Sequence, residues 1–129
     1  MDNPYADEAR ERWGDTEAYR QSQQRAARYT EQDWAEIKAE SGALTERLAA
    51  AMRDGVAADS PAAMDLAEEH RQQIHRRFND CGYDMHRGLA DMYVADERFT
   101  ATYDAVRPGL ARYLREAIHA NADRGSAAL

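Results

Sequence analysis

Cys81 offers the most distinctive chemistry in this sequence, because it is the only cysteine among 129 residues. It lies in a short segment, 79–82, that separates two helical patterns and directly precedes the second of them. A thiol at a helix N-terminus meets the positive end of the helix dipole and unpaired N–H groups, both of which favour the thiolate. Arg76 and Arg77 would strengthen that effect, and Asp80 would weaken it. The alternative is that Cys81 is a small buried hydrophobe, as most free cysteines are.

A thiolate in this position could capture an electrophilic ligand without turnover, and Gly82 would leave room for the ligand to approach the sulfur. Protease chemistry would also require a base and an oxyanion hole. His86 is the candidate base, but five residues along the same helix it would point away from the thiol. The sequence contains no GxSxG, P-loop, GxGxxG or HExxH motif. We therefore predict a binding protein rather than an enzyme.

Metal ligation has little support in the sequence. No two of the four histidines have the spacing of a known metal motif. Cys81 and His86 could ligate zinc, but their spacing is not a known signature. The cluster Glu68-Glu69-His70 could form a carboxylate–histidine site; alternatively, its acids face solvent and His70 lies at the edge of the core. We predict no metal and no cofactor.

Aromatic residues at helical spacing are concentrated in the second half of the chain: Phe78, Tyr83, Tyr93, Phe99, Tyr103 and Tyr113. Tyrosines on an inward stripe are more often core than site. They could also line an amphipathic cleft, which nearby methionines would make adaptable; these are Met64, Met85 and Met92.

The elements that must position these residues are all helices, because apolar residues recur at helical spacing and no segment alternates with period two. The pattern predicts six or seven helices and no sheet, an all-α fold. A first helix runs from Tyr5 to Trp13 and stops at Gly14. The later boundaries are a second helix from Asp15 or Thr16 to about Tyr29, a third from Thr30 to Gly55, a fourth from Ser60-Pro61, a fifth after Gly82, a short sixth after Asp96 and a last one after Pro108-Gly109.

The length predicts one domain over 1–129, which we expect to be a monomer in isolation. The single cysteine favours a reducing cytoplasm. The net charge of −7 and the pI near 5.0 disfavour nucleic acid as a partner. No apolar run is long enough to cross a membrane, and the N-terminus does not resemble a signal peptide. The N-terminal helices, 1–55, begin with a highly charged stretch that we expect to be mobile without ligand. A helical core over 60–124 and a frayed tail over 125–129 would follow.

Several blocks, in order, resemble the TipA-type thiostrepton-binding (TipAS) antibiotic-recognition domain, over nearly the whole chain. The N-terminal blocks are Glu11-Arg12-Trp13-Gly14-Asp15-Thr16-Glu17-Ala18-Tyr19-Arg20-Gln21-Ser22 and Thr30-Glu31-Gln32-Asp33-Trp34. The later blocks are Glu69-His70-Arg71, Phe78-Asn79-Asp80-Cys81-Gly82-Tyr83-Asp84-Met85-His86, Leu89-Ala90-Asp91-Met92-Tyr93-Val94-Ala95-Asp96-Glu97-Arg98-Phe99, Pro108-Gly109-Leu110-Ala111 and Ala117-Ile118-His119-Ala120-Asn121.

The resemblance implies a globin-like helical domain without haem, the drug-sensing part of MerR-type transcriptional activators. Such domains bind thiopeptide antibiotics, and in thiostrepton-responsive members a cysteine adds to a dehydroalanine of the drug. Cys81 stands at that position. The family's N-terminal segment is mobile without drug and closes over it. The winged helix-turn-helix and the dimerisation helix of full-length regulators are not in this sequence, so this chain would bind the antibiotic but not DNA.

We therefore expect a thiopeptide-binding cleft between the N-terminal segment and the Cys81 region, with Cys81 as the point of covalent attachment. The residues expected to line this cleft are chosen by their position in the family motif and on the inward faces of the helices: Trp13, Tyr19, His70, Phe78, Tyr83, His86, Tyr93 and Phe99. The alternative is a helical protein–protein interaction module without a small-molecule ligand. An oxygen or haem sensor is a third class, suggested only by the implied fold.

Overall fold

Six α-helices form the part of the chain, residues 16–127, that the computed structural model describes. They are α1 (Glu17–Ala26), α2 (Glu31–Arg53), α3 (Pro61–Arg77), α4 (Tyr83–Ala95), α5 (Glu97–Asp104) and α6 (Leu110–Ala127). No strand occurs between residues 16 and 127, so the all-α prediction is confirmed. The helix predicted from Tyr5 to Trp13 lies outside the described residues.

Side-chain caps set most of the helix starts at the predicted positions. The Thr16 hydroxyl accepts from the Tyr19 amide at 3.1 Å at the start of α1. Thr30 and Asp33 exchange hydrogen bonds of 2.9 and 3.1 Å in a reciprocal capping box at the start of α2. The Ser60 hydroxyl accepts from the Ala63 amide at 3.3 Å at the start of α3, directly before a proline in the first turn. Each cap satisfies amide groups that a helix cannot pair internally, which fixes the boundaries locally.

Two helix ends differ from the sequence prediction. α1 ends at Ala26 rather than near Tyr29, because a turn follows in which the Tyr29 amide donates to the Ala26 carbonyl at 3.2 Å. α6 continues to Ala127, beyond residue 124, where the sequence predicted the helical core to end. The Tyr83 ring packs directly on the Gly125 backbone, and this tertiary contact covers the last turn of α6.

The core is built around α6. Leu110, Leu114, Ala117 and Ile118 share one face of this helix and are fully buried. They pack against α2, α3 and α4. Buried alanines on the facing helices allow the backbones to approach closely; these are Ala63, Ala67 and Ala90. α2 contributes Leu44, Leu48 and Ala49 to the same core, whereas α1 contributes no buried residue.

Candidate functional site around Cys81

Cys81 lies in the loop between α3 and α4, one residue before the N-cap Gly82. Its side chain is only 1% exposed. Its amide donates to Nδ1 of His75 at 3.0 Å, and its carbonyl accepts from Nη1 of Arg71 at 2.8 Å. Arg71 and His75 are four residues apart and therefore share a face of α3. The C-terminal half of α3 thus fixes the backbone of Cys81 on both sides.

The thiol of Cys81 is not activated in this conformation. Burial raises its pKa from 9.0 to about 11, while the positive charge of Arg71 opposes that rise and the negative charge of Glu68 adds to it. The expectation of a stabilised thiolate is therefore wrong for this conformation, because the loss of solvation on burial outweighs the positive charge of Arg71. Of the two arginines expected to help, Arg77 instead pairs with Glu40 at 2.6 Å.

Arg71 is the cation at this site. Its Nε and Nη2 donate to Glu68 at 3.0 and 2.6 Å, and its guanidinium carbon lies 4.6 Å from the centre of the Tyr83 ring. Burial alone would raise the pKa of Glu68, but hydrogen bonds from Arg71, Asn121 and Gln72 lower it to about 2. Glu68 is therefore part of a half-buried network and does not simply face solvent, as one sequence interpretation had it.

His70 and His86 form a buried pair between α3 and α4, the helices on either side of the Cys81 loop. Nδ1 of His70 lies 2.8 Å from Nε2 of His86, and the rings stack with centroids 5.1 Å apart. Burial lowers the pKa of His70 to about 4, and burial together with His70 lowers the pKa of His86 to about 3. Both rings are therefore neutral. Because His86 is paired with His70, the geometry gives it no role as a base for the thiol.

The second ring nitrogen of His86, Nδ1, is buried without a hydrogen-bond partner. An unsatisfied buried donor is costly, whereas a bare acceptor leaves only a lone pair unmatched. We therefore assign the shared hydrogen to Nε2 of His86, with Nδ1 of His70 as the acceptor.

Tyr93 extends the buried pair into an aromatic cluster. Its ring meets His70 edge-on at 5.9 Å and lies 5.8 Å from Phe99 and 5.2 Å from Tyr103. Burial raises the pKa of both tyrosines, to about 12 for Tyr103. Four of the predicted lining residues therefore lie together: His70, His86, Tyr93 and Phe99.

Phe78 belongs to a separate aromatic group at the start of α2. Its ring lies 6.4 Å from Trp34, which in turn meets Tyr29 edge-on at 5.4 Å. The Tyr29 hydroxyl donates to the Arg77 carbonyl at 2.6 Å. These rings cover the end of α3, next to the Cys81 loop.

α1 is held against the Cys81 loop by polar contacts. Arg25 donates to the His75 carbonyl and to Asp80, the latter at 2.9 Å. Nε2 of Gln21 donates to the Asp80 carboxylate at 3.3 Å, and the Asp80 backbone amide donates to Oε1 of Gln21 at 2.8 Å. We call these contacts of Gln21, Arg25 and Asp80 the α1 latch. Tyr19 is half-buried on the same helix, and Trp13 lies outside the described residues.

Metal ligation finds no support in residues 16–127, where no group of three or more His, Cys, Asp or Glu residues is placed to hold an ion. A cleft of about 460 Å³ opens elsewhere, between α4, α5 and α6. It is lined by Asp91, Val94, Thr100, Asp104, Ala111, Arg112 and Arg115. None of the predicted lining residues that the structure describes borders this cleft. No helix among the described residues has the length and apolarity needed to cross a bilayer.

Three contributors to the site were not singled out from the sequence: Arg71, Arg25 and Gly125. For Arg71 a signal existed, since Glu68 and Arg71 are spaced as an ion pair on one helix face. Arg25 and Gly125 act through contacts with residues far away in sequence, Asp80 and Tyr83. No local pattern points to such contacts.

An all-α domain with a single thiol held between two helices is the class that the fold and this site define. The chain belongs to the TipAS family: the family model described as the TipAS antibiotic-recognition domain matches residues 5–121. It is 57% identical over 120 residues to the HTH-type transcriptional activator TipA of Streptomyces coelicolor, covering 93% of this chain and 47% of that activator. The chain thus spans about half the length of that relative.

Solved structures agree with this assignment. TipAS from Streptomyces lividans in complex with nosiheptide, from a thiopeptide antibiotic multidrug resistance system, is 56% identical with a TM-score of 0.89, covering 95% of this chain and 85% of that one. An antibiotic-binding domain of a TipA-class multidrug resistance transcriptional regulator is also 56% identical, with a TM-score of 0.65, covering 70% of this chain and 96% of that one.

Proposed function

We propose that this domain binds thiopeptide antibiotics at the face formed by α1, the 78–82 loop and the start of α4. The observation that carries the proposal is the likeness to the nosiheptide complex, which extends over 95% of this chain at 56% identity. Tyr19, Phe78 and Tyr83 are half-buried on this face, and their rings suit an apolar macrocycle. The other predicted lining residues would support this face from the interior, or contact the ligand once the site has opened; they are His70, His86, Tyr93 and Phe99.

Covalent capture by Cys81 would follow reversible binding. The thiolate sulfur forms a bond to the β-carbon of a dehydroalanine, the carbon–carbon π bond breaks, and the α-carbon takes a proton from solvent. The thiol proton is lost to solvent before the addition, so the sum is addition of S–H across the double bond without redox change. Because the Cys81 side chain is buried and its pKa is raised, this step requires the loop or α1 to move.

Intact-mass spectrometry after mixing with thiostrepton tests both steps. We expect an adduct whose mass equals the sum of protein and antibiotic, and none in Cys81→Ala. Calorimetry with Cys81→Ala should still show binding, since reversible recognition precedes capture. An adduct persisting in Cys81→Ala would contradict attachment at this residue, and absence of binding in both proteins would contradict the function itself.

The biological setting that we propose is the ligand-sensing half of a transcriptional regulator in the cytoplasm. The support is that the matched relatives are transcriptional activators about twice as long as this chain. The domain would bind its ligand without turnover, and contact with DNA would fall to a separate segment. The net charge of −7 is consistent with that division.

A further inference from the structure

Arg71 uses every side of its guanidinium at the Cys81 site. One edge donates to Glu68, Nη1 donates to the Cys81 carbonyl at 2.8 Å, and one face stacks on Tyr83 at 4.6 Å. The side chain is only 14% exposed, so these contacts are shielded from water. A planar guanidinium suits such a combination, whereas a flexible ammonium does not.

The Tyr83 ring has a defined seat of its own. A Cβ atom at Gly125 would lie 2.3 Å from Cζ of Tyr83, so the ring rests directly on the backbone of the last turn of α6. Only glycine leaves this space. Gly88 in α4 is also a helical glycine, but a Cβ atom there would meet nothing within 4 Å. The two positions therefore form a matched pair for substitution.

We propose that Arg71 is the positioning residue of the covalent step, and that Tyr83 and Gly125 hold its guanidinium in place. The inference rests on the proposed function and adds a residue to it. The bond to the Cys81 carbonyl fixes the peptide that carries the thiol, and the guanidinium places a positive charge beside the sulfur. When the site opens, the burial that suppresses the thiolate is relieved, while the Arg71 charge stays.

Other groups face Cys81 as well, and they bear on any test of charge. Glu68 and His75 face it from α3, Tyr83 and Tyr93 from α4, and Asp80 from the loop. Glu68 opposes Arg71, since its negative charge raises the thiol pKa. Substitutions of Arg71 and Glu68 should therefore change the local charge in opposite directions.

The test compares alkylation of Cys81 by iodoacetate, an anion, and by iodoacetamide, its neutral analogue of similar size. Both react with the same thiolate, so their rate ratio cancels accessibility and thiolate fraction and reports the charge beside the sulfur. We expect Arg71→Gln to lower the ratio about threefold, and Glu68→Gln to raise it by a similar factor. A merely structural role would change both rates together and leave the ratio unchanged.

Gly125→Ala gives an independent test that keeps Arg71 itself. Displacement of the Tyr83 ring should lower the ratio toward that of Arg71→Gln, while the control Gly88→Ala keeps the wild-type ratio. Circular dichroism checks that each variant is folded. If Arg71→Gln does not fold, the alkylation ratio of Gly125→Ala decides whether Arg71 is held in place by Tyr83. A wild-type ratio in Gly125→Ala and in a folded Arg71→Gln would overturn the proposal.

Thiostrepton provides the second arm. We expect Gly125→Ala to slow adduct formation from the bound complex about tenfold. The rate is measured at saturating thiostrepton, so that a change in reversible affinity caused by displacing Tyr83 does not enter it. An unchanged rate of adduct formation would overturn the positioning role. Lack of any wild-type adduct would instead contradict the covalent capture proposed above, while the alkylation ratios would still decide where the Arg71 charge lies.

Discussion

The His70–His86 pair places two titratable rings where most proteins of this size have only apolar side chains. Both rings are kept neutral by burial, and each can gain a proton only at a cost to the folded state. The pair is therefore a source of acid sensitivity in the core. It joins α3 to α4, the two helices that flank the Cys81 loop.

We predict that the free energy of unfolding falls as the pH is lowered below 6.5. The unfolded chain binds protons at these histidines from about pH 6.5 downward, whereas the folded chain resists until pH 4 to 3. Stability is thus present above 6.5 and is lost at up to about 1.4 kcal/mol per pH unit for each histidine. Urea denaturation at pH 7.0 and 5.5 measures this slope. His86→Phe should reduce it, and an unchanged slope would show that the pair is not responsible.

The residues around Cys81 show where sequence reasoning succeeds at this scale. The loop position of Cys81 before a helix was predicted from Asn79-Asp80 and Gly82, which interrupt two helical patterns. Its electrostatic surroundings were not, because the nearest arginines in sequence, Arg76 and Arg77, are not the cation that acts on the thiol. That cation, Arg71, is brought to the loop by the helical period rather than by sequence proximity.

At the level of helices, α1 differs from the other five in how it is held. It buries no residue fully and adds no side chain to the core, whereas α5, which also buries none fully, packs Phe99 and Tyr103 against that core. The described contacts of α1 with the rest of the chain include the α1 latch. Polar contacts of partly exposed groups contribute little to stability, because water and salt compete for them. α1 is therefore the described element that can detach at the lowest free-energy cost, next to the loop that must move for Cys81 to react.

We predict that Arg25→Gln increases amide hydrogen exchange across α1 about threefold, because an ion pair of this exposure contributes up to roughly 1 kcal/mol. The exchange of α6 should not change. Arg20→Gln is the matched control, since Arg20 pairs at 2.8 Å with Glu17 on α1 itself and not with the loop. Equal effects of the two substitutions would argue against the latch.

The start of α2 yields a second prediction at this scale. Thr30→Ala removes the hydroxyl of the capping box and should lower the free energy of unfolding by about 1 kcal/mol. Thr30→Ser keeps the hydroxyl and should restore most of this loss. Chemical denaturation of the three proteins measures the difference. A Thr30→Ala variant as stable as wild type would mean that α2 begins elsewhere in solution.

Helix boundaries were predictable wherever a capping residue determines them, as at Thr30 and Ser60. They were missed where tertiary contacts decide, since the Tyr83 ring on Gly125 carries α6 past its predicted end. Helix starts depend on neighbours within one turn, which a sequence pattern records. Contacts between residues more than 40 positions apart leave no such record.

Across the whole molecule, the core and the ligand face have different stabilities. Leu44 and Leu48 tie α2 into the core around α6, so we confine the ligand-dependent segment among the described residues to α1. This is narrower than the 1–55 segment expected from composition. Local opening is least costly where buried apolar contacts are fewest, which makes α1 the first described helix to exchange.

We predict that thiostrepton protects α1 from hydrogen exchange far more than α2. At ligand concentrations about 100 times the dissociation constant, protection that depends on binding rises up to about a hundredfold. Exchange measured by mass spectrometry on Cys81→Ala reports reversible binding without the adduct. Equal protection of α1 with and without ligand would show that it stays docked throughout, and the thiol would then have to be reached by another route.

The polar docking of α1 also affects how much apolar surface the domain exposes when this helix detaches. A mobile helix that docked through an apolar face would expose that face each time it detached, and exposed apolar patches promote self-association. α1 instead buries no side chain fully and adds none to the core, so the helix itself exposes little additional apolar surface when it detaches. Detachment of α1 can therefore open the loop around Cys81 without creating a large apolar patch.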